Sequence, residues 1–179
     1  MKQNESTRWK LVSTEITHAT VKEKEPGSFE VNVTNSDTWH DTEDDVFVTN
    51  DNKRTFRFIP HDDLFEALNA LKPFLAHISG YSKSLLLGQP GHADLDRFSI
   101  RGFTVSGEGA HEGVVLIGQV EVVCSKKMNL STPILKWDIE TNAYDHADEL
   151  KEAVHGFRDE MVEYINGKRK KAAQLSLAV

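Results

Sequence analysis

Twice along this chain, segments whose apolar residues alternate every second position give way to a segment whose apolar residues recur every third and fourth. Strands followed by a helix, repeated, is the reading this pattern demands, because side chains alternate across a strand but return every 3.6 residues on a helix. In the first half Leu11 to Val21 alternates, and beyond the Pro26-Gly27 turn Phe29, Val31 and Val33 share one face. Residues 35–45 read as a polar, acidic loop. Val46 to Thr49 and Thr55 to Ile59 then read as hairpin arms around Asn50-Asp51-Asn52-Lys53. A helix is expected from Pro60-His61-Asp62-Asp63, where an Asp caps free N–H groups, and its stripe is Leu64, Leu68, Leu71, Leu75 and Ile78. Pro73 has no N–H to donate, which predicts a kink or break near Lys72, and Gly80 ends the helix.

The second half uses the same grammar. Phe98 to Ser106, Val114 to Cys124 and Met128 to Ile139 read as strands, with residues 107–113 as a hairpin loop. A final helix is expected over 145–166, with Leu150, Val154, Phe157, Met161, Tyr164 and Ile165 as its stripe and Gly167 as its stop. The expected fold is α+β: a mostly antiparallel sheet of about seven strands with two amphipathic helices packed on one face. Residues 1–167 form a single domain in this reading, and 168–179 a basic tail carrying an apolar interaction peptide. Residue identity between the halves is too low to claim a duplication.

Composition narrows the function classes. At 39% hydrophobic and 27% charged residues the chain is an ordinary folded one, and no apolar run approaches the roughly 20 residues that cross a bilayer. The first residues lack a secretory apolar stretch and the only cysteine is Cys124, so the cytoplasm is the expected location and no internal disulfide can form. Net charge is −7; without the four cations at 168–171 the balance is 17 basic against 28 acidic side chains, or −11. Such a body repels a phosphate backbone except where charge is locally reversed.

No motif specifies catalysis. His111-Glu112 opens as a zinc protease motif would, but Val115 stands where the second His belongs. Cys124 ends a valine-rich strand and reads as a small buried hydrophobe. His61-Asp62-Asp63, with Asp41, Glu43, Asp44 and Asp45 of the acidic stretch, supports an alternative, a metal-dependent hydrolase; the simpler reading is a helix cap, with no metal and no cofactor. Two segments interleave cations and aromatics. Arg54, Phe56 and Arg57 in the first, and Arg97 and Arg101 in the second, with Phe103 sharing the latter's face, are candidates for single-stranded nucleic-acid binding. Lys168, Arg169, Lys170 and Lys171 are further candidates for nucleic-acid contact.

After those cations comes Gln174-Leu175-Ser176-Leu177-Ala178-Val179, which resembles the short peptide by which many bacterial and phage replication and repair proteins dock onto the sliding clamp. The resemblance implies that Gln174 bonds at a pocket edge while Leu175, Leu177 and Val179 supply apolar contact. Ala178 stands where the five-residue version of that peptide has Phe. The alternatives are that Leu175 to Val179 folds back on the body as an extra strand, or stays undocked. Val105 to Pro133 is similar to uncharacterised proteins of phage and prophage genomes. Together these imply a non-catalytic phage accessory of DNA replication or recombination in the bacterial cytoplasm, recruited to a protein partner through its tail. An acidic self-assembling or inhibitory protein is the third reading.

Overall fold

The structure, a computed structural model, describes residues 8–85, 93–107, 112–122, 125–137 and 144–169. Its elements are β1 (Trp9–Glu25), β2 (Ser28–Asp41), β3 (Val46–Phe56), α1 (Asp62–Ala70), α2 (Lys72–Ile78), β4 (Phe98–Ser106), β5 (Gly113–Val122), β6 (Lys126–Ser131), β7 (Leu135–Lys136) and α3 (Ala147–Ile165). The strands form one antiparallel sheet ordered β3-β2-β1-β4-β5-β6, with β7 also paired to β5. All the helices pack on one face of it, so this is the α+β architecture of seven strands that the two-fold grammar predicts.

Three expected boundaries differ. Residues 35–41 are strand rather than loop, because β2 runs on to Asp41 paired with both β1 and β3. Polarity did not break it: Asn35, Asp37, Trp39 and Asp41 alternate toward the helix side, and Asp37 finds four partners there. It accepts from Thr14 Oγ1 at 2.7 Å, Asn35 Nδ2 at 2.7 Å, Asn52 Nδ2 at 2.8 Å and Arg54 Nη2 at 3.1 Å. Those same bonds hold Asn52 and Arg54 in line, so 50–53 is the middle of β3 and not a hairpin turn. Between β6 and β7 the strand expected over 128–139 breaks at Thr132-Pro133-Ile134, where Thr132 bridges by donating its N–H to Leu116 O and accepting the Leu116 N–H on Oγ1. The helix break falls as Pro73 demands: α1 ends at Ala70 and α2 restarts at Lys72, with Leu71 between them.

From the seam between β1 and β4 the two halves mirror each other in order, three strands outward and then a helix. The seam is short: only His18–Thr20 pair with Gly102–Thr104. Each half's helix covers strands of the other, since α3 packs on β1 while α1 and α2 pack on β4 and α2 also reaches β5. The shared core contains Ile16, Val31, Leu64, Leu75, Phe103, Leu116, Leu150, Phe157 and Tyr164, all at most 1% exposed. Burying one such Leu or Phe contributes about 1.5–3 kcal/mol.

Gly102 is what lets the seam close. Its φ is +152°, and a Cβ placed there would stand 1.8 Å from Ala19 O. The irregularity between Ile100 and Gly102 also changes the side-chain alternation of β4, sending Phe103 into the core, ring to ring with Phe157 at 5.7 Å. Phe103 therefore does not share a face with Arg101 as strict alternation expects. We expect Gly102→Ala to cost about 3 kcal/mol or more, because the backbone must part at the seam. Gly156→Ala, in open space on α3, should gain about 0.5–1 kcal/mol. Urea denaturation of both variants measures the two opposite shifts.

Candidate functional site at the α1–α3 junction

The start of α1 and the end of α3 meet in a cluster of charged side chains. His61, not an Asp, caps α1: its Nδ1 accepts the Leu64 N–H at 3.2 Å, and Asp62 and Asp63 follow in the first turn, where negative charge suits the helix dipole. With Nδ1 as acceptor, the neutral ring carries its proton on Nε2. That atom is buried and has no hydrogen-bond partner among the described residues. His61 itself is 5% exposed. From α3, Glu160 brings Oε2 to 3.7 Å from His61 Nδ1, while Asp63 Oδ2 stands 3.9 Å from the same atom.

Lys168, just past the Gly167 turn, puts its ammonium among these groups, 2.9 Å from Asp63 Oδ2, 2.8 Å from Glu160 Oε2 and 3.9 Å from Glu163 Oε2. The bond from Lys168 holds the Asp63 carboxyl below its ordinary range, and the bonds to Asp63 and Glu160 push the Lys168 ammonium well above its own. Beside the cluster lies a cleft of about 560 Å³ lined by Thr14, Asp159, Glu160, Val162, Glu163 and Lys168. Asp63, Asp159, Glu160 and Glu163 set four carboxylates against one ammonium here. The imbalance favours cations and repels phosphate unless a metal reverses it.

Arg169 continues the path. Its guanidinium lies 4.1 Å from the Tyr164 ring centre, 5.0 Å from that of Phe58 and 5.9 Å from that of Phe56, and it donates to Tyr164 O. Beneath it Tyr164 is fully buried, donating its hydroxyl to Phe58 O at 2.7 Å, and burial raises its phenol above the usual value. Lys168 and Arg169, read in the sequence as the first cations of a tail, are thus engaged by the body.

The other sequence candidates are scattered. Arg54 pairs with Asp37, on the helix side of the sheet, and Phe56 packs edge-on to Tyr164 at 5.6 Å. Arg57 is exposed. Arg97 donates to Glu121 O at 2.8 and 3.3 Å. Arg101 lines a separate cleft of about 400 Å³ where β1 and β4 diverge beyond the seam, together with Lys22, Lys24 and Lys127. The acidic stretch is spoken for: Asp41 accepts from Arg8 Nε at 2.8 Å, Arg8 also pairs with Glu43 and Asp44, and His40 Nε2 meets Asp45 at 2.8 Å. Arg8 stands where a cation held by that stretch would sit, and its bond depresses the Asp41 carboxyl. Lys170, Lys171, Gln174, Leu175, Leu177, Val179 and Cys124 lie outside the described residues.

Glu160 and the role of Lys168 were not legible in the sequence, since 97 and 105 residues separate them from Asp63 and no motif spans the gap. Among the described residues no helix is long and apolar enough to cross a membrane.

The clasp has a defined pH window. A carboxyl depressed in the folded state stabilises above its ordinary range and loses that effect as pH falls through its lowered pKa; a raised ammonium stabilises below its ordinary range and loses the effect as pH rises through its raised one. Lys168→Met should therefore lower Tm by an amount that is constant between about pH 4 and about pH 10 and shrinks below that window. Thermal melts of both proteins across pH measure it. No protein-family model matches this chain, and comparisons with curated proteins and with solved structures likewise give no match.

Proposed function

We propose that the protein binds a divalent cation at His61, Asp63 and Glu160. The observation carrying this reading is that one donor atom from each of the three lies within 4.8 Å of the others, around a position already attractive enough to hold an ammonium. Ligand atoms about 2.0–2.1 Å from a tetrahedral metal stand about 3.3 Å apart, so the 3.7 and 3.9 Å spacings need to contract by about half an ångström and the third, between Asp63 and Glu160 and within 4.8 Å, by at most about 1.5 Å. His61 would give up the Leu64 N–H to present Nδ1. Three protein ligands leave a position open, at which a bound cation lowers the pKa of water and polarises a phosphoryl or carbonyl oxygen. Metal-assisted hydrolysis is the activity class to assay.

Calorimetric titration with Mn²⁺ and with Zn²⁺ at neutral pH tests the site. Saturable heat is expected for the native chain, loss of it in Asp63→Asn with Glu160→Gln, and about tenfold tighter binding in Lys168→Met, from which the competing ammonium is gone. No heat in either the native chain or Lys168→Met refutes the reading.

A second reading, recruitment of a phage accessory protein to a sliding clamp, is supported by the resemblance of Gln174 to Val179 to clamp-docking peptides. Burial of Leu177 and Val179 contributes about 1.5–3 kcal/mol each before ordering costs, which suits micromolar affinity. Titrating the peptide of residues 168–179 into purified clamp tests it, and absence of heat at hundreds of micromolar rules it out. Single-stranded nucleic-acid binding through Arg57 and Arg101 has less support, since Phe56 and Phe103 sit on the helix side of the sheet.

A further inference from the structure

The long strands of the first half overrun the helices that cover them. On the helix side of β1, β2 and β3, the core residues Ile16, Val31, Val33 and Phe56 give way to the belt of Thr14, Asn35, Asp37, Asn52 and Arg54. Past the belt the surface turns apolar again. Leu11, Trp39 and Val48 stand opposite one another across the three strands, and Trp9 and Val46 flank Asp41 one rung further on. This ground is left open: Trp9 is 41%, Leu11 43% and Val46 48% exposed. β3 is also the end of the sheet, with β2 its only strand partner among the described residues. Its outer edge therefore presents N–H and C=O groups that can template another strand.

We propose that the occupant is a second copy of this chain, its β3 paired antiparallel to the first across a two-fold axis normal to the sheet. Three observations point to it. First, this symmetry brings complementary ends together. Antiparallel pairing sets the bare end of one β3, Val46 to Val48, beside the covered end of the other, where Tyr164 packs edge-on to Phe56 and Arg169 lies over Phe58. Phe58 is itself 60% exposed. Each copy's helix layer thus comes up beside the other's open apolar ground, and the exchange is reciprocal.

Second, one register satisfies the charges. β3 pairs with β2 without irregularity, so its even-numbered side chains lie on the helix side and its odd-numbered ones on the helix-free side. Asp51 and Lys53 are exposed; Asp51 accepts from Ser36 Oγ at 2.6 Å, but neither residue has an ionic partner among the described residues. An axis at Asp51 or at Lys53 sets that residue against its own copy, like charge on like. An axis at Asn50 sets Val48 against Asn52 and Val46 against Arg54. With the axis at Asn52, Asp51 faces Lys53 of the second copy and Lys53 faces its Asp51, while Val48 falls opposite Phe56 and Thr49 opposite Thr55. Third, the area is adequate. The edge of the eleven-residue β3 is a strip about 37 Å long and about 10 Å wide. With the apolar ground beside it each copy buries roughly 600 Å², or about 1,200 Å² in all, the lower end of stable, specific interfaces.

Sedimentation equilibrium of the full native chain from about 1 to about 500 µM should show a monomer–dimer equilibrium with a Kd in the micromolar range. Asp51→Lys or Lys53→Asp alone should weaken the dimer about tenfold or more by setting like charges opposite each other. The two together should restore it, because the pair is exchanged and not lost. A chain that stays monomeric throughout overturns the proposal. So does a dimer that either single substitution leaves unchanged, a loss that the double substitution does not repair, or growth beyond the dimer, which a closed two-fold forbids. Should a swapped variant melt below the native chain, chains carrying Thr49→Cys and chains carrying Thr55→Cys, both with Cys124→Ala, are mixed and mildly oxidised. Disulfides between unlike chains should then form about tenfold faster than between like ones, and equal rates overturn the register. The outcome is independent of cation binding, because none of these substitutions touches His61, Asp63 or Glu160.

Discussion

Three residue pairs join the two halves of this sheet, and the fold depends on how so narrow a joint is kept closed. Backbone bonds over His18–Thr20 and Gly102–Thr104 would be weak support for two three-stranded halves. The helices supply the rest by crossing over. α3, from the second half, lies on β1, and α1 and α2, from the first, lie on β4, so parting the seam would uncover both sets of apolar stripes at once. That exchange makes the halves one cooperative unit, with Phe103 and Phe157 meeting over the joint.

The charged cluster inherits its geometry from this exchange. α1 and α3 come from opposite halves, and only because each lies over the other's strands does the N-terminal end of one meet the C-terminal end of the other. His61 caps one helix and faces Glu160 of the other, and Lys168 closes the gap. Stability and cation affinity oppose each other there. Whatever displaces the ammonium gains two carboxylates and an imidazole, but dissolves the tie that fixes where the chain leaves the domain.

How much of this was legible in the sequence follows from the range of each force. Period-two and period-3.6 patterns are local, so the strands, the stripes of Leu64, Leu68, Leu150 and Phe157, and the break at Pro73 could be read directly. Residues 35–41 misled because Asn, Asp and Ser signal turns when their partners are unknown; Thr14, Asn52 and Arg54, from neighbouring strands, turn Asp37 into a strand residue. The change of face at Phe103 needed the irregularity around Gly102, which alternation alone does not announce. The cluster was least visible of all, since His61 looked like a cap and is one, while its acidic neighbour arrives from a helix nearly a hundred residues away.

The belt around Asp37 divides the helix side of the long strands into two territories with different rules. On one side lie residues that hold the domain together; on the other lie side chains that meet water and leave the core untouched. A hydrogen-bonded polar row between them acts as an insulator, so the outer ends of β1, β2 and β3 can trade one side chain for another, or gain and lose a companion, without loosening the interior. Such an arrangement lets a surface change its partner while the fold that carries it stays the same.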